Sequence, residues 1–513
     1  MSELSKINSV VAVGLEPELV EVEVDSGAGI PSLVVVGLPD KAVEESKERV
    51  RLAIKNSGFS FPQKKIVVNL APADVKKEGP LYDLPIAMGV LSSGGFIDFE
   101  KIKNIIFLGE LSLSGEVKPV KSVVQAAILA KRKDMPLVVP KDNFLEASLI
   151  PGIRVLSISH IKELLEKILS DDQPFEKTQK IKLDEADYDE EFDFANIVGQ
   201  HQAKRVLEIS SAGGHNILFS GSPGAGKTLL ARSMISILPP LTEEEALELT
   251  KIYSVAGMLS KLNPIVKTRP FRSPHHTTSP VAIIGGGSNP RPGEVSLSHR
   301  GVLFLDELPE FPRSVLEALR QPLEDGFVTI SRAQGTLKLP ADFILVAAQN
   351  PCPCGYLGDP KHECTCPMNK VLSYKRKISG PLLDRIDLHL NVGPIDKGSL
   401  KQKTTAESSR EVSKRIIKTR IIQLERAKKL SKSGKLNSVL SKKDLEEVAP
   451  LDSSCELFLE SAGEKLALSM RSLIKVWRVA LTISDLSGEQ KIKKEHLAEA
   501  LGYRHKQDAI YGS

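Results

Sequence analysis

The run GSPGAGKT, from Gly221 to Thr228, carries glycines, a lysine and a hydroxyl at the spacing G-x-x-x-x-G-K-[ST]. In the loop Gly221, Ser222, Pro223, Gly224, Ala225 and Gly226, successive backbone N–H groups turn inward toward phosphate oxygens, and a helix starting behind them adds partial positive charge. Lys227 is expected to neutralise β- and γ-phosphate charge, and Thr228 to ligate Mg²⁺. A second run, VLFLDE (302–307), ends four apolar residues in two carboxylates. Asp306 is expected to hold Mg²⁺ and Glu307 to orient and polarise an attacking water. The ligand set points to ATP with Mg²⁺. A third constellation, Cys352, Cys354, Cys364 and Cys366, has the spacing C-x-C-x₉-C-x-C. Four thiolates in a short loop can enclose tetrahedral Zn²⁺, whereas reduced thiols or a redox-labile loop is the alternative. Cys455 falls on a helix-like segment and reads as core.

These residues need particular elements behind them. NILFSG (216–221) reads as a buried strand that delivers the glycine loop, and Leu229–Ile237 as the helix that follows it. VLFLDE reads as a parallel strand presenting its carboxylates at its C-terminal end, where open α/β sheets bind ligands. FILVAAQ (343–349) is a third strand. Together they make an α/β parallel-sheet domain over 194–396. Residues 1–170 alternate short β-rich runs such as LVVVGLP (33–39), KIVVNLAP (65–72) and PLVVP (136–140) with a helical segment at 42–58, in which Val43, Val50, Ala53 and Ile54 share a face. This is a second α/β domain. Between the two, residues 171–193 hold ten acidic and three basic residues and read as a solvated linker. Residues 397–513 read as a basic connector followed by helices; the stretch 397–443 has 15 Lys+Arg against 3 acidic residues.

Composition sets the outer bounds. With 513 residues, about three domains are expected. Hydrophobic residues make up 41% and charged residues 26%, which is ordinary globular usage and excludes whole-chain disorder. The net charge of +4 requires any nucleic-acid contact to be local. Five cysteines exclude a disulfide scaffold. No apolar run approaches the ~18 residues of a membrane span, and the N-terminal segment lacks signal-peptide features, so a cytoplasmic location without membrane contact is expected.

The chain resembles the AAA+ ATPases, and within them the ComM/YifB family of the magnesium chelatase-like group. PFRSPHHTTS (270–279), GGGSNPRPGEVSLSHRGVLFLDELPEF (285–311), AAQNPCPCG (347–355), SGPLLDRIDLHL (379–390) and LSMRSLIKVWRVALTISDL (468–486) carry the resemblance over nearly the whole chain. It implies an AAA+ core, a C-terminal helical lid and a homo-hexameric ring with ATP at subunit interfaces. It also implies that Asn350 acts as sensor 1, Arg385 as an arginine finger reaching the neighbouring subunit's γ-phosphate, and Arg471 as sensor 2. Members of the family the chain resembles often have Met at the position of Gln349 and Arg at that of Leu481; neither departure touches the catalytic set, and the second puts one possible basic contact in doubt.

GELSLSGEVKPV (109–120) and KKEGPLYDLPIAMGVLSS (76–93) resemble the Lon proteolytic domain. Leu81 stands where the catalytic serine is expected and Val124 near the expected lysine, so the resemblance implies a Lon-like fold without protease chemistry. The adjacent His275 and His276 are expected to point apart, against a shared metal. Two places suit DNA. GFVTISRAQGTLKLPADF (326–343) reads as a hairpin with Arg332 at its tip and Lys338 nearby, either projecting into a central pore or merely solvated. The basic stretch 397–443 could displace phosphate counterions or serve only as a connector.

The family resemblance implies an ATP-driven DNA motor, a branch-migration helicase working on single-stranded and branched DNA during integration of transforming DNA, with recombination proteins as further partners. A magnesium-chelatase-type ATPase that remodels a metal-insertion partner is the alternative. The Lon-like domain and the cysteine quartet favour the motor. An ATP-dependent protease is disfavoured by Leu81 and Val124.

Overall fold

The computed structural model describes residues 4–170, 175–178, 190–260, 263–287, 291–332, 335–359, 361–393, 407–431 and 434–504. The chain divides into two compact units, one of residues 1–184 with 242–267, the other of 185–241 with 268–513.

The first unit is built on an eight-stranded mixed sheet. Its long hairpin pairs Ser5–Val13 with Glu16–Gly27, so that Ile7 lies opposite Val22 and Ser5 opposite Val24. Along the second strand Val20, Val22 and Val24 are buried while the intervening glutamates are not, the period-2 pattern of a sheet with one face on a core. The helix expected at 42–58 spans Lys41–Asn56. Asp40 caps it by accepting the Val43 N–H at 2.8 Å, and Val43, Val50, Ala53 and Ile54 are fully buried. At the two positions tied to Lon-type chemistry, Leu81 packs against apolar clusters and Val124 is fully buried.

Two features of this unit differ from the sequence reading. The acidic segment 171–193 does not begin as a free tether: Glu176–Lys177 pairs antiparallel with the strand Arg154–Ile158, and Thr178 donates to the Ile150 carbonyl at 2.7 Å. Residues 171–174 and 179–189 lie outside the described residues. In addition, residues 242–267, expected within the 194–396 domain, pack into the first unit. Their helix Glu243–Ala256 starts on a capping box between Thr242 and Glu245. It sets Leu247 against the cluster around Val123 and Ile106, and the Gln125 amide donates to the Lys251 carbonyl at 3.0 Å. The helix has an apolar face of its own, and covering it on this core is what removes it from the neighbouring segments of the chain.

The second unit centres on a five-stranded sheet in the order Phe271–Arg272, Val302–Leu305, Ile344–Gln349, Ile217–Ser220, Leu388–Asn391, every pair parallel. Alternate residues feed two cores. Leu303, Leu305, Leu345 and Leu218 face one cluster, while Phe304, Val346, Ile217 and Phe219 face the other. Burial on both faces is why these strands are near-continuous apolar runs in sequence. The C-terminal helices Ser409–Lys429, Lys442–Val448, Ser453–Lys465, Met470–Leu486 and Lys494–Gly502 complete the second cluster. Leu481 is buried in that core, and Cys455 is buried as expected.

The basic stretch is largely a helix built into this unit. Arg415 pairs with Glu208 at 2.8 Å and with Glu407, Arg420 donates to the Ser211 carbonyl, and Arg426 pairs with Asp485 at 2.5 Å. Those three guanidiniums bind protein, whereas Arg410, Lys414, Lys418, Lys428 and Lys429 on the same helix are exposed. Residues 394–406 and 432–433 lie outside the described residues. The expected hairpin forms from Phe327–Arg332 and Gly335–Pro340, with Val328 and Leu339 buried at its base.

Candidate nucleotide site

The strand Ile217–Ser220 is fully enclosed and ends at the glycine loop. Gly221 must be glycine on steric grounds: a Cβ there would lie 2.3 Å from the Val392 carbonyl oxygen. Gly224 and Gly226 adopt φ of 76° and 84°, the left-handed region that a loop reversing into a helix requires. The helix Lys227–Ile237 starts immediately after, so its unpaired N–H groups face the loop's interior.

Lys227 is 8% exposed. Its ammonium donates to the carbonyls of Gly221 at 2.7 Å and Ser222 at 3.0 Å and to the Asn350 side-chain oxygen at 3.2 Å. Burial lowers its pKa from the ordinary lysine value, and the carboxylates of Asp306 and Glu307 oppose that shift. The Thr228 hydroxyl donates to Asp306 at 3.1 Å, which brings the two candidate Mg²⁺ ligands side by side. The other Asp306 oxygen accepts the Glu307 N–H at 2.9 Å. Glu307 itself sits at φ 51°, ψ 47°. A left-handed non-glycine residue stores backbone strain, and here it turns a carboxylate out from the end of a buried strand. The neighbouring strands bring Lys227, Thr228, Asp306, Glu307 and Asn350 together, and their donors and acceptors fit a Mg²⁺-bound triphosphate: a hydroxyl and a carboxylate for the metal, an ammonium and loop N–H groups for the phosphates.

His276 went unnoticed as a site residue. Its Nδ1 lies 3.4 Å from a Glu307 carboxylate oxygen, and its ring meets Phe311 edge-on. The expectation that His275 and His276 diverge fails as well. Their ring centroids are 4.1 Å apart, because the segment after Phe271–Arg272 is irregular and alternation along a strand does not apply. Only a tertiary contact identifies His276, and no spacing rule would have found it.

Among the described residues, the remaining candidates make no hydrogen bond or ion pair to this cluster. Arg385 directs its donors to Glu324, to the Pro381 carbonyl at 2.7 Å and to the Arg320 carbonyl at 3.2 Å. Arg471 is exposed in the first turn of the helix Met470–Leu486. Lys338 lies 3.5 Å from the centroid of the Phe327 ring, a cation–π contact along the hairpin. The side chain of Arg332 and residues 333–334 lie outside the described residues. The sulfur atoms of Cys352, Cys354, Cys364 and Cys366 all lie within 4.8 Å of one another. No helix among the described residues is long and apolar enough to cross a membrane.

Comparison with known proteins agrees with this geometry. Family models described as "Magnesium chelatase, subunit ChlI", "Subunit ChlI of Mg-chelatase" and "Magnesium chelatase, subunit ChlI C-terminal" match residues 193–400, 22–143 and 406–504. The chain is 42% identical to the competence protein ComM of Haemophilus influenzae, over 98% of this chain and 97% of that protein. It is 40% identical to the YifB protein of Escherichia coli over the same shares of the two chains. The chloroplastic magnesium-chelatase subunit ChlI of rice is more distant, 23% identical over 43% of this chain and 53% of its own.

Proposed function

Because the chain belongs to the ComM/YifB family of magnesium chelatase-like proteins, and is thereby a ComM-type ATPase, we propose that it hydrolyses ATP to drive movement on DNA. In this reading a homo-hexamer binds single-stranded and branched DNA and migrates branches during recombination of incoming DNA, in the cytoplasm and alongside recombination proteins. The observation that carries it is the placement of the hairpin Phe327–Pro340 in the chain directly between the strand ending at Asp306–Glu307 and the strand ending at Asn350. Any displacement of those γ-phosphate readers reaches the hairpin through covalent backbone.

The chain's own groups divide the work. Lys227 exchanges the Gly221 and Ser222 carbonyls for phosphate oxygens, while the loop N–H groups and helix N-terminus hold the remaining charge. Thr228 and Asp306 hold Mg²⁺, which when bound neutralises charge on the phosphates. Glu307 orients water and accepts its proton, and His276 fixes the carboxylate that does so. Asn350 reports the γ-phosphate position to the hairpin strand. Arg385 supplies its guanidinium to the next subunit's phosphate, which requires release of Glu324, and Arg471 closes the helical lid. The cysteine quartet holds a structural zinc ion.

A second reading, remodelling of a metal-insertion partner, is favoured by the chelatase description of all three matched families. The domain over 22–143 matches a chelatase-named family too, so it no longer separates the readings. The near-full-length 42% identity to ComM against 23% over 43% of the chain for ChlI supports the motor. The test is ATP hydrolysis and branch migration on a synthetic four-way junction with purified protein. DNA-stimulated hydrolysis with ATP-dependent migration is expected. Hydrolysis indifferent to single-stranded and branched DNA, with no migration, would remove the motor reading.

A further inference from the structure

The loop carrying the four cysteines touches the phosphate-binding loop at three points. Asn350, two residues before Cys352, accepts from Lys227 at 3.2 Å. Gly355, with φ +87°, lies so close to Pro223 that a Cβ would be 2.5 Å from its ring. The Asp359 carboxylate takes the N–H groups of Lys361 at 2.8 Å and His362 at 3.1 Å, and the nearby Ser222 side chain helps hold its pKa below the ordinary carboxylate value. A wall of the nucleotide site is therefore built by residues 350–359.

What keeps that wall in shape is not an apolar core. Among the described residues, none from 352 to 366 joins the hydrophobic clusters, and only Cys352 and Gly355 are buried. The sulfur geometry supplies the missing constraint. Cys352 lies 3.4 Å from Cys354 and 3.6 Å from Cys364, and Cys354 lies 3.6 Å from Cys364. A disulfide needs about 2.05 Å, so these are not bonded pairs. Thiolates about 2.3 Å from a central zinc ion in a tetrahedron stand about 3.8 Å apart, close to what is observed. The Leu357 N–H points at the Cys352 sulfur at 3.3 Å, the type of N–H···S contact that supports a metal-bound thiolate.

We propose that Cys352, Cys354, Cys364 and Cys366 bind one zinc-class divalent ion per chain, and that this ion sets the affinity of the neighbouring site for ATP by holding Gly355 against Pro223 and Asp359 beside Ser222. The proposal rests on the reading of Gly221–Thr228 as an ATP loop. Soft thiolates select zinc over the hard Mg²⁺ of the nucleotide site, so the two ions do not exchange. Metal free energy becomes loop order, because the loop adds little apolar burial to the hydrogen bonds it makes locally.

The experiment uses the full chain, with zinc counted by elemental analysis and ATP affinity measured by titration calorimetry, before and after a zinc chelator and after Zn²⁺ is returned. Cobalt(II) substitution reports the geometry through the ligand-field bands of tetrahedral thiolate coordination. One zinc per chain is expected, with ATP affinity falling about tenfold on its removal, within the usual range for coupled sites, and recovering on return. Cys364→Ser with Cys366→Ser should reproduce the loss. Should that variant fold poorly, Asp359→Ala separates the two roles: it should keep its zinc and its cobalt spectrum yet bind ATP several-fold more weakly. Absence of stoichiometric zinc and of the cobalt bands would overturn the metal site. Equal ATP affinity with and without zinc, or unaltered affinity in Asp359→Ala, would overturn the coupling alone. A zinc-loaded wild type that binds no ATP would overturn the nucleotide-site reading and this proposal with it.

Discussion

Asp387, immediately before the strand Leu388–Asn391, is 5% exposed and faces Lys475 of the helix Met470–Leu486 at 3.1 Å. It also accepts the Asn216 N–H at 3.2 Å and lies 3.6 Å from His215, whose other nitrogen meets Thr482 at 2.8 Å. The helix Met470–Leu486, packed on the sheet through the apolar cluster, thus also meets it through a buried carboxylate. Asp387→Ala leaves the Lys475 ammonium buried near Arg478 and without its counter-charge, a defect that costs about 3–5 kcal/mol. Lys475→Met added to that variant removes the orphaned charge and should recover most of the loss, to within about 1–2 kcal/mol of wild type. Urea unfolding followed by tryptophan fluorescence suits the comparison, since Trp477 lies on the same helix. pH gives a second readout. Lys475 and His215 hold the folded Asp387 pKa well below its ordinary value despite burial. A depressed carboxylate stabilises above the unfolded pKa of about 3.9, and that contribution is lost as pH falls toward the folded value. Wild type should therefore lose this increment only below about pH 4, and Asp387→Ala should show none of it. If Asp387→Ala unfolds within 1 kcal/mol of wild type, or the added Lys475→Met makes matters worse, the buried pair does not help join helix to sheet.

Lys227→Ala should abolish tight ATP binding, whereas Glu307→Gln should bind ATP normally and hydrolyse it at least about 100-fold more slowly; calorimetry and phosphate release separate the two. Mixing Arg385→Ala with Lys227→Ala subunits should restore some hydrolysis, because some interfaces then pair an intact lysine with an intact arginine, and no rescue in confirmed mixed assemblies would argue against a shared site. Replacing Arg332 and Lys338 with Ala should flatten the salt dependence of DNA binding by roughly 0.7–0.9 per lost phosphate contact, leaving basal hydrolysis intact. An unchanged slope with unchanged branch migration would take the hairpin out of the mechanism.

The parts legible in the sequence are those whose physics is short-range. GSPGAGKT needs its glycines within one turn of chain, VLFLDE needs one strand, and the helix at 41–56 needs its apolar spacing and the Asp40 cap, so local pattern was enough to place each. The hairpin Phe327–Pro340 was legible for the same reason, through alternation around a glycine. The nucleotide site was legible in GSPGAGKT and VLFLDE, whereas the magnesium chelatase-like assignment came from resemblance to a known family, which the comparisons bear out. The tertiary structure decided what depends on distant segments sharing space. It sent the helix Glu243–Ala256 out of the nucleotide-binding segment, because its apolar face is covered by Val123 and its neighbours. It set His276 beside Glu307, folded the basic helix Ser409–Lys429 into the core through Arg415, Arg420 and Arg426, and laid the cysteine loop on Pro223. Each of these joins residues far apart in the chain, where burial and charge pairing choose the partner and no period or spacing in the sequence encodes the choice.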